Sequence, residues 1–381
     1  MSVETTVRIA NTVTALERML EGIEAGERPR PDWIHLQGKC RIDRLPGQGL
    51  EALLRRLHAC VLRGFRARNA RPRGRLARLA FWQCVARNGF HDFSDLGWMK
   101  AYGSPFVESY DYVSDYQRGG VAALDPYRVY SAVLGTHDYT VEDFLHTASC
   151  EKVETIVEPM AGTGEFSYAG HFLHPDLRYV LFDLDPKARD HVMARAWLPG
   201  ADYRYEVADV LSPAIWRQVK GWTRGRSLSY IGKQSHHFFD ARQLHQLLSV
   251  GTKHVDYFVL ESPEASLVSD LEQVDDLTRP EMEDAGFEVA LVEEEDSPPN
   301  PFTNELGFRL DVWDEHERRT LFRYRDWTSW QPPMLVTLAR LLDLDVLYLN
   351  EDVSDFVSVD GDLDHSDCLE NVSFMLFKRR G

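Results

Sequence analysis

Two acids and two glycines are the residues of this sequence best suited to chemistry. Glu158 follows a β-branched run, Glu154–Val157, and Gly162 and Gly164 open a turn in Val157-Glu-Pro-Met-Ala-Gly-Thr-Gly164. Further on, the hydrophobic run Tyr179–Phe182 ends in Asp183. Glycines let the backbone approach a ligand, and an acid after a second strand accepts hydrogen bonds from ribose hydroxyls. The spacing therefore points to an α/β sheet holding an adenosine-containing cofactor. A nicotinamide dinucleotide would call for a third glycine close behind. Here Glu165, Phe166 and Ser167 follow Gly164, and the next glycine is Gly170, which argues against a dehydrogenase.

Two other stretches carry groups able to move protons or bind charge. Ser235-His236-His237-Phe238-Phe239-Asp240 follows a fourth hydrophobic run. A histidine titrates near neutral pH and takes a proton without strong tuning. Either histidine would serve as a base there, or one packs under the ligand while the other caps the next helix. The segment Tyr102–Gly120 holds Tyr110, Tyr112, Tyr116 and Arg118. It reads either as a lid, with Arg118 gripping a carboxylate in bidentate fashion, or as an aromatic interface between domains.

The elements that must position these residues fall into two parts. Residues 1–150 read mainly as helix: Ile9, Val13, Leu16, Leu20 and Ile23 form one apolar stripe, and Leu50, Leu53, Leu57 and Val61 form another. From Glu154 strands and helices alternate, the mark of a doubly wound sheet. Strands are expected at 154–158, 179–183, 203–207, 227–231 and 256–261, with helices from about Phe166, over 187–196 and over 241–249. Two segments compete for the closing helix, one ending near Asp284-Ala-Gly286 and one over 334–342. The second leads into strands at 346–349 and 372–378. It makes about 265–328 an insertion, with a small sheet of strands at 288–292, 308–313 and 321–327.

The length, 381 residues, exceeds one compact core and suits two domains. No apolar run reaches the length needed to span a bilayer, and the start of the chain lacks a signal-peptide core. Five scattered cysteines without CxxC spacing suit reduced thiols in a cytoplasm, and no ligand cluster calls for a metal. Asp360–Asp367 lacks the glycine and glutamate positions of a calcium loop and reads as an acidic connection. The net charge is −17, yet residues 51–90 hold ten arginines against one acid. An acidic protein is repelled by a polyanion, so those arginines read as solvated helix faces rather than a nucleic acid surface.

In this order the motifs resemble the class I S-adenosylmethionine-dependent methyltransferases, over Glu154 to about Glu261 and more loosely at the end of the chain. Glu158-Pro-Met-Ala-Gly162-Thr-Gly164 matches the first motif, Phe182-Asp183-Leu-Asp185 the second, Ala208-Asp209-Val210 the third, and Gly232–Asp240 the fourth. Met160 stands where the family usually carries glycine. The resemblance implies a Rossmann-like seven-stranded sheet, with residues 1–150 as a helical cap and 151–381 as the catalytic domain. S-adenosylmethionine would be bound by Glu158, Ala161, Gly162, Gly164, Asp183, Leu184, Asp209 and Val210. His236, with His237 as the alternative, would deprotonate the acceptor, and Tyr110, Tyr112, Tyr116 and Arg118 would form the lid. The expected acceptor is a small molecule, O- or N-methylated, of specialised metabolism; a homodimer is one assembly the sequence admits. Modification of RNA or protein, cyclisation or elimination of the sulfonium, and cofactor binding without turnover stay open as alternatives.

Overall fold

The computed structural model describes residues 112–126, 128–129, 152–174, 176–195, 197, 200–232, 235–261, 275–298, 300, 305–350, 356–360 and 372–380. The expected helical domain up to residue 111, the arginine block and Tyr110 lie outside them. The chain divides into two compact units, one of residues 1–109, 168–175 and 196–201, the other of residues 110–167, 176–195 and 202–381. In the first, the rings of Tyr168, His171 and Trp197 cluster with centroids 4.6–5.4 Å apart. Burial lowers the His171 pKa to about 3.

The second unit begins with helix α1 (Tyr112–Gly119) and a 3-10 turn (Gly120–Ala123). An alternating series follows: β1 (Val153–Pro159), α2 (Glu165–Leu173), β2 (Arg178–Asp183), α3 (Pro186–Ala194), β3 (Asp202–Val207), α4 (Pro213–Trp222), β4 (Arg226–Ile231), a 3-10 turn (Ser235–Phe238), α5 (Ala241–Gly251) and β5 (Tyr257–Glu261). After β5 come β6 (Asp275–Asp276), α6 (Pro280–Ala285), β7 (Glu288–Glu293), β8 (Glu305–Trp313) and β9 (Arg318–Thr328). The chain then returns through α7 (Pro332–Leu341), β10 (Leu344–Asn350), β11 (Val357–Ser358) and β12 (Val372–Arg379).

The main sheet runs β11-β10-β12-β5-β4-β1-β2-β3. Strands β1 to β5 are mutually parallel, and β12 inserts antiparallel between β5 and β10. Of the two segments competing for the closing helix, α7 is the one that feeds this sheet; α6 ends at Gly286 (φ 95°) and enters β7 of the second sheet. An eighth strand, β11, extends the expected seven. Two residue pairs hold it, Tyr348 with Val357 and Leu347 with Ser358, too short a signal to read from sequence.

Apolar runs make the parallel strands because helices cover both faces. On one face Trp216 of α4 is fully buried, its ring edge-to-face with Phe182 and its Nε1 donating to the Val210 carbonyl at 2.7 Å. Leu244, Leu247 and Leu248 of α5 and Leu335 and Ala339 of α7 complete that core. Each helix starts on a local signal. Asp185 caps α3 ahead of Pro186, Ser212 caps α4 ahead of Pro213, and Asp240 with Gln243 forms a capping box on α5.

The second sheet, β6-β7-β8-β9, has its own core of Phe287, Val289, Leu291, Leu306, Phe308, Leu310, Val312 and Trp327. Tyr112, Val121, Leu124 and Val129 pack into that core, so the segment from α1 to Val129 is strapped onto this sheet. Arg319 Nη1 lies within 3.1 Å of the carbonyl oxygens of Val121, Ala122 and Leu124 at the end of the 3-10 turn.

Asp311 lies in the middle of this sheet, 1% exposed, and accepts from Arg309, Arg318 and Thr320 at 2.6–3.0 Å. Burial acts to raise its pKa, but the hydrogen bonds from Thr320, Arg309 and Arg318 outweigh it and hold the carboxyl below 3.8. Its stabilisation is therefore present above the ordinary aspartate value and fades only as pH falls through a lower one. Asp311→Ala removes the acceptor that Arg309, Arg318 and Thr320 share and leaves Arg309, whose side chain is 21% exposed, the longer 3.4 Å contact with Glu294. It is expected to cost about 3 kcal/mol in a chemical denaturation series at neutral pH. A loss under about 0.5 kcal/mol, the size of an exposed ion pair, would contradict this account.

Candidate active site

The strand order reverses direction at β1, between β4 and β2, where the carboxyl ends of parallel strands leave a crevice. A cavity of about 720 Å³ lies there, lined by the turns after β1, β2 and β4. The turn after β1 has an unusual backbone: Met160, Gly162 and Gly164 all have positive φ, at 55°, 52° and 69°. Gly162 N–H donates to Asp183 Oδ2 at 2.9 Å, and Asp185 N–H donates to Oδ1 at 3.0 Å. The carboxylate that ends β2 thus fixes the turn that ends β1. Ala161 N–H adds a bond to the Phe182 carbonyl at 3.1 Å.

Gly164 has a different task. A Cβ there would stand 2.9 Å from Leu181 Cδ2 and from Val192 Cγ2, so the glycine lets the turn close onto β2 and α3. Behind it, Glu158 is buried and accepts the Ser167 N–H of α2 at 3.0 Å. Arg195, at the end of α3, braces the turn by donating to the Thr163 carbonyl at 3.0 Å and to Glu165 at 2.7 Å. Thr163 also hydrogen-bonds Glu165.

Glu158, Ala161, Gly162 and Asp183 line the cavity. Gly164, Leu184, Asp209 and Val210 do not. Leu184 projects beside Asp183, 71% exposed; Asp209 is exposed and accepts the Leu211 N–H at 2.9 Å, and Val210 is buried, its carbonyl taken by Trp216. Met160, Thr163, Glu165, Lys187 and His191 line the cavity without having been assigned. Met160 was visible as the departure from the glycine pattern, and its left-handed φ shows that it keeps the backbone shape glycine usually supplies. A non-glycine residue held there stores strain of about 1 kcal/mol.

The two histidines need correcting. His236 and His237 are both fully buried and line no part of the cavity; their neighbours Ser235 and Phe238 do. His237 stacks on Trp327 with centroids 4.4 Å apart. Its Nδ1 lies 2.5 Å from the Thr328 carbonyl and 3.1 Å from the Trp330 N–H, so either tautomer is tied to backbone. Both ring nitrogens of His236 are buried and unbonded. The short 3-10 turn points its middle residues inward and its ends at the cavity, a rotation that a sequence motif does not reveal.

The expected lid also differs. Tyr112 is buried edge-to-face against Phe287, Tyr116 places its hydroxyl 2.9 Å from Asp314 and 3.1 Å from the Gly286 carbonyl, and Arg118 pairs with Asp115 on the solvent side. None of them lines the cavity. Helix α1 spends its aromatic face on the second sheet, and the residues that reach the cavity are those just after it, Ala123, Asp125 and Pro126. Asp125 Oδ2 lies 3.5 Å from His191 Nε2 of α3, joining the strap to the turn after β2.

The far wall of the cavity comes from β9, through Leu321, Phe322 and Tyr324, next to Phe238. The rings of Phe238 and Tyr324 stack at 4.3 Å. Burial, and then the negative charge of Asp183, raise the Tyr324 pKa, so its phenol is neutral.

Parallel β1–β5 in the order 3-2-1-4-5, closed by an antiparallel last strand between β5 and β10, define the fold. It is a Rossmann-like, doubly wound α/β arrangement. The sequence matches no family model. It matches no curated protein either. Among solved structures the chain is similar to an S-adenosylmethionine-dependent methyltransferase from Clostridium acetobutylicum, at 11% identity over 60% of this chain and 84% of that one, TM-score 0.42. It is also similar to the sugar N-methyltransferase KedS8 from Streptoalloteichus, at 15% identity over 60% and 81%, TM-score 0.39. The CcbJ methyltransferase from Streptomyces caelestis is a third, at 10% identity over 61% and 86%, TM-score 0.43. Among the described residues no helix is long and apolar enough to cross a membrane, and no cluster of His, Cys, Asp or Glu could hold a metal ion.

Burial lowers the pKa of His236 well below 6.5, with the charge of His237 adding to the effect. Burial lowers His237 to about 4, against a smaller opposing pull from the Thr328 carbonyl. Unfolding frees both to bind protons at the ordinary value near 6.5. Stability is therefore complete above about pH 6.5 and falls as pH drops toward 4, by at most about 1.4 kcal/mol per pH unit for each group. Melting temperature measured from pH 7.5 to 5 is expected to decline. His236→Leu, which fills the site and cannot be protonated, is expected to flatten that decline; an unchanged slope would show that the His236 ring is not held neutral.

Proposed function

We propose that this chain is an S-adenosylmethionine-dependent methyltransferase with a small-molecule acceptor. The observation that carries the reading is the Asp183–Gly162 bond, which joins the glycine turn after β1 to the acid after β2 at the edge of the cavity. Asp183 accepts one main-chain N–H on each oxygen, and each oxygen keeps lone-pair capacity for a ribose hydroxyl. The positive-φ turn leaves backbone close to the cavity where the amino-acid end of the cofactor would lie. These residues fit the cofactor.

When bound, S-adenosylmethionine supplies a methyl group on a positively charged sulfur, open to in-line attack. The residues of this chain then have three tasks. Asp183 and the Gly162 turn hold and orient the ligand. Phe238, Tyr324 and Phe322 exclude water from the neighbouring volume. The strap residues Asp125 and Pro126 close the side next to α3. Holding two reactants in line supplies most of the acceleration such a reaction needs. With both histidines buried and their basicity lowered, the proposal gives the transfer step no histidine base from the turn after β4. Residues 1–150 are proposed to complete the acceptor side, and the cytoplasm to be where the protein works.

Asp183→Asn is the direct test of cofactor binding. Loss of charge-assisted bonds is expected to weaken S-adenosylhomocysteine binding by tenfold or more in titration calorimetry, about 1.5–3 kcal/mol. In the wild type, burial raises the Asp183 pKa against the lowering pull of the Asp185 and Gly162 N–H bonds. Affinity is therefore expected to start falling at a higher pH than an ordinary aspartate would give. Incubation of the protein with methyl-deuterated S-adenosylmethionine and a cell extract then reads the reaction itself. Label in a metabolite is the expected result. Label in RNA or protein would overturn the small-molecule acceptor, and methylthioadenosine without transferred label would overturn methyl transfer.

A further inference from the structure

The wall that β9 presents to the cavity breaks the alternation of a strand. Phe322 and Tyr324 are two apart and share a face, whereas Leu321 would ordinarily point to the other side. The β8–β9 register explains the exception. Leu310 pairs with Phe322 and Asp311 with Thr320, so Leu321 has no partner and forms a bulge. A bulge re-aims a side chain, and here it turns Leu321 to the same cavity as its two neighbours. A second irregularity, between Leu306 and Phe308, follows on the other side of Tyr324. The two together bend β9 around the part of the strand that lines the cavity.

What the bend assembles is apolar and flat. Leu321, Phe322, Tyr324 and Phe238 are all half-buried, in contrast to Trp327 and Phe308, which the same sheet buries in its core. The only polar atom among these four side chains is the Tyr324 hydroxyl. Of the carboxylates lining the cavity, Asp183 is bonded to the Gly162 turn, Glu158 to the Ser167 N–H, Glu165 to Arg195, Asp185 to the cap of α3 and Asp125 to His191, while Lys187 lines it from the start of α3. A sugar placed against this wall would press hydroxyls onto rings that cannot bond them, at the cost of their hydration. An aromatic or conjugated ring would instead stack on it, offset or edge-to-face.

We propose that the bulged segment Leu321–Tyr324 with Phe238 is the acceptor subsite, and that it takes an uncharged, planar aromatic or conjugated ring bearing the nucleophile. This assignment rests on the cofactor reading of the Asp183 side and adds the acceptor class to it. The insertion then supplies most of this subsite, with Phe238 of the turn after β4 completing it.

The experiment is ligand-observed NMR on the full chain saturated with S-adenosylhomocysteine, using 2-naphthol, its saturated analogue decahydro-2-naphthol, and methyl glucoside as probes. The expected result is that 2-naphthol binds without displacing S-adenosylhomocysteine, about tenfold more tightly than either of the others. Phe322→Leu keeps the volume and removes the flat face, so it is expected to abolish that preference. Its S-adenosylhomocysteine affinity is expected to stay within about threefold, since β9 holds no part of the Asp183 clamp. Leu321→Ala, read in parallel with a melting curve, guards against a variant that fails to fold. Equal binding of the three probes, preference for the glucoside, insensitivity to Phe322→Leu, or competition between 2-naphthol and S-adenosylhomocysteine would each overturn the subsite. Failure of the wild type to bind S-adenosylhomocysteine would instead sink the cofactor reading and this assignment with it.

Discussion

The carboxylate of Asp183 is the constraint on which the site depends. It lies at the end of a buried parallel strand, and both its oxygens are occupied by N–H groups of the turns beside it. One bond fixes the turn after β1, in which Met160 holds a strained positive φ beside the positive-φ Gly162 and Gly164. The other fixes the turn into α3. The same carboxyl is pushed toward protonation by burial and drawn back by those N–H groups. A group in that balance is ready to accept further hydrogen bonds, because they offset desolvation it has already suffered.

Much of this was legible in the sequence. The parallel strands announced themselves as apolar runs because both faces of the sheet are covered, and each run ended in the acid or glycine that the crevice needs. What the sequence could not convey was orientation over distances shorter than an element. His236 and Phe238 are two residues apart in a four-residue turn; one is sealed in the core and the other lines the cavity. Residue type gave no hint of which was which. Tyrosines before the sheet posed the same problem. Their density signalled an aromatic contact, but an amphipathic helix can turn that face to a ligand or to a neighbouring sheet, and α1 turns it to the sheet.

The buried histidines have a structural logic of their own. His237 bonds the backbone between β9 and α7, where the chain comes back from the second sheet, and it stacks on Trp327 of β9. The turn after β4, which would face the transferred group, is thereby anchored to the strand that supplies the aromatic wall. The two sides of the cavity cannot separate without exposing Trp327, Trp330 and a pair of neutral imidazoles. With both ring nitrogens of His236 buried and unbonded and His237 tied to backbone, the pair fixes geometry rather than moving protons.

The position of the second sheet follows from topology. In a parallel sheet every strand ends at the same edge, and every following helix starts there. Residues inserted between the end of β5 at Glu261 and the start of α7 at Pro332 must leave from that edge and return to it. Whatever they fold into stands over the crevice where the cofactor would bind. A compact sheet with its own core can be placed there without disturbing the strands beneath, and its surface can be changed one residue at a time. Two irregularities, the bulge at Leu321 and the shift between Leu306 and Phe308, break the regular pairing of that sheet on either side of Tyr324, and they bend this stretch of the insertion where it lines the cavity. The division of labour between a sheet that holds one ligand and an insertion that shapes the space for another is thus a consequence of where a parallel sheet leaves room for extra chain.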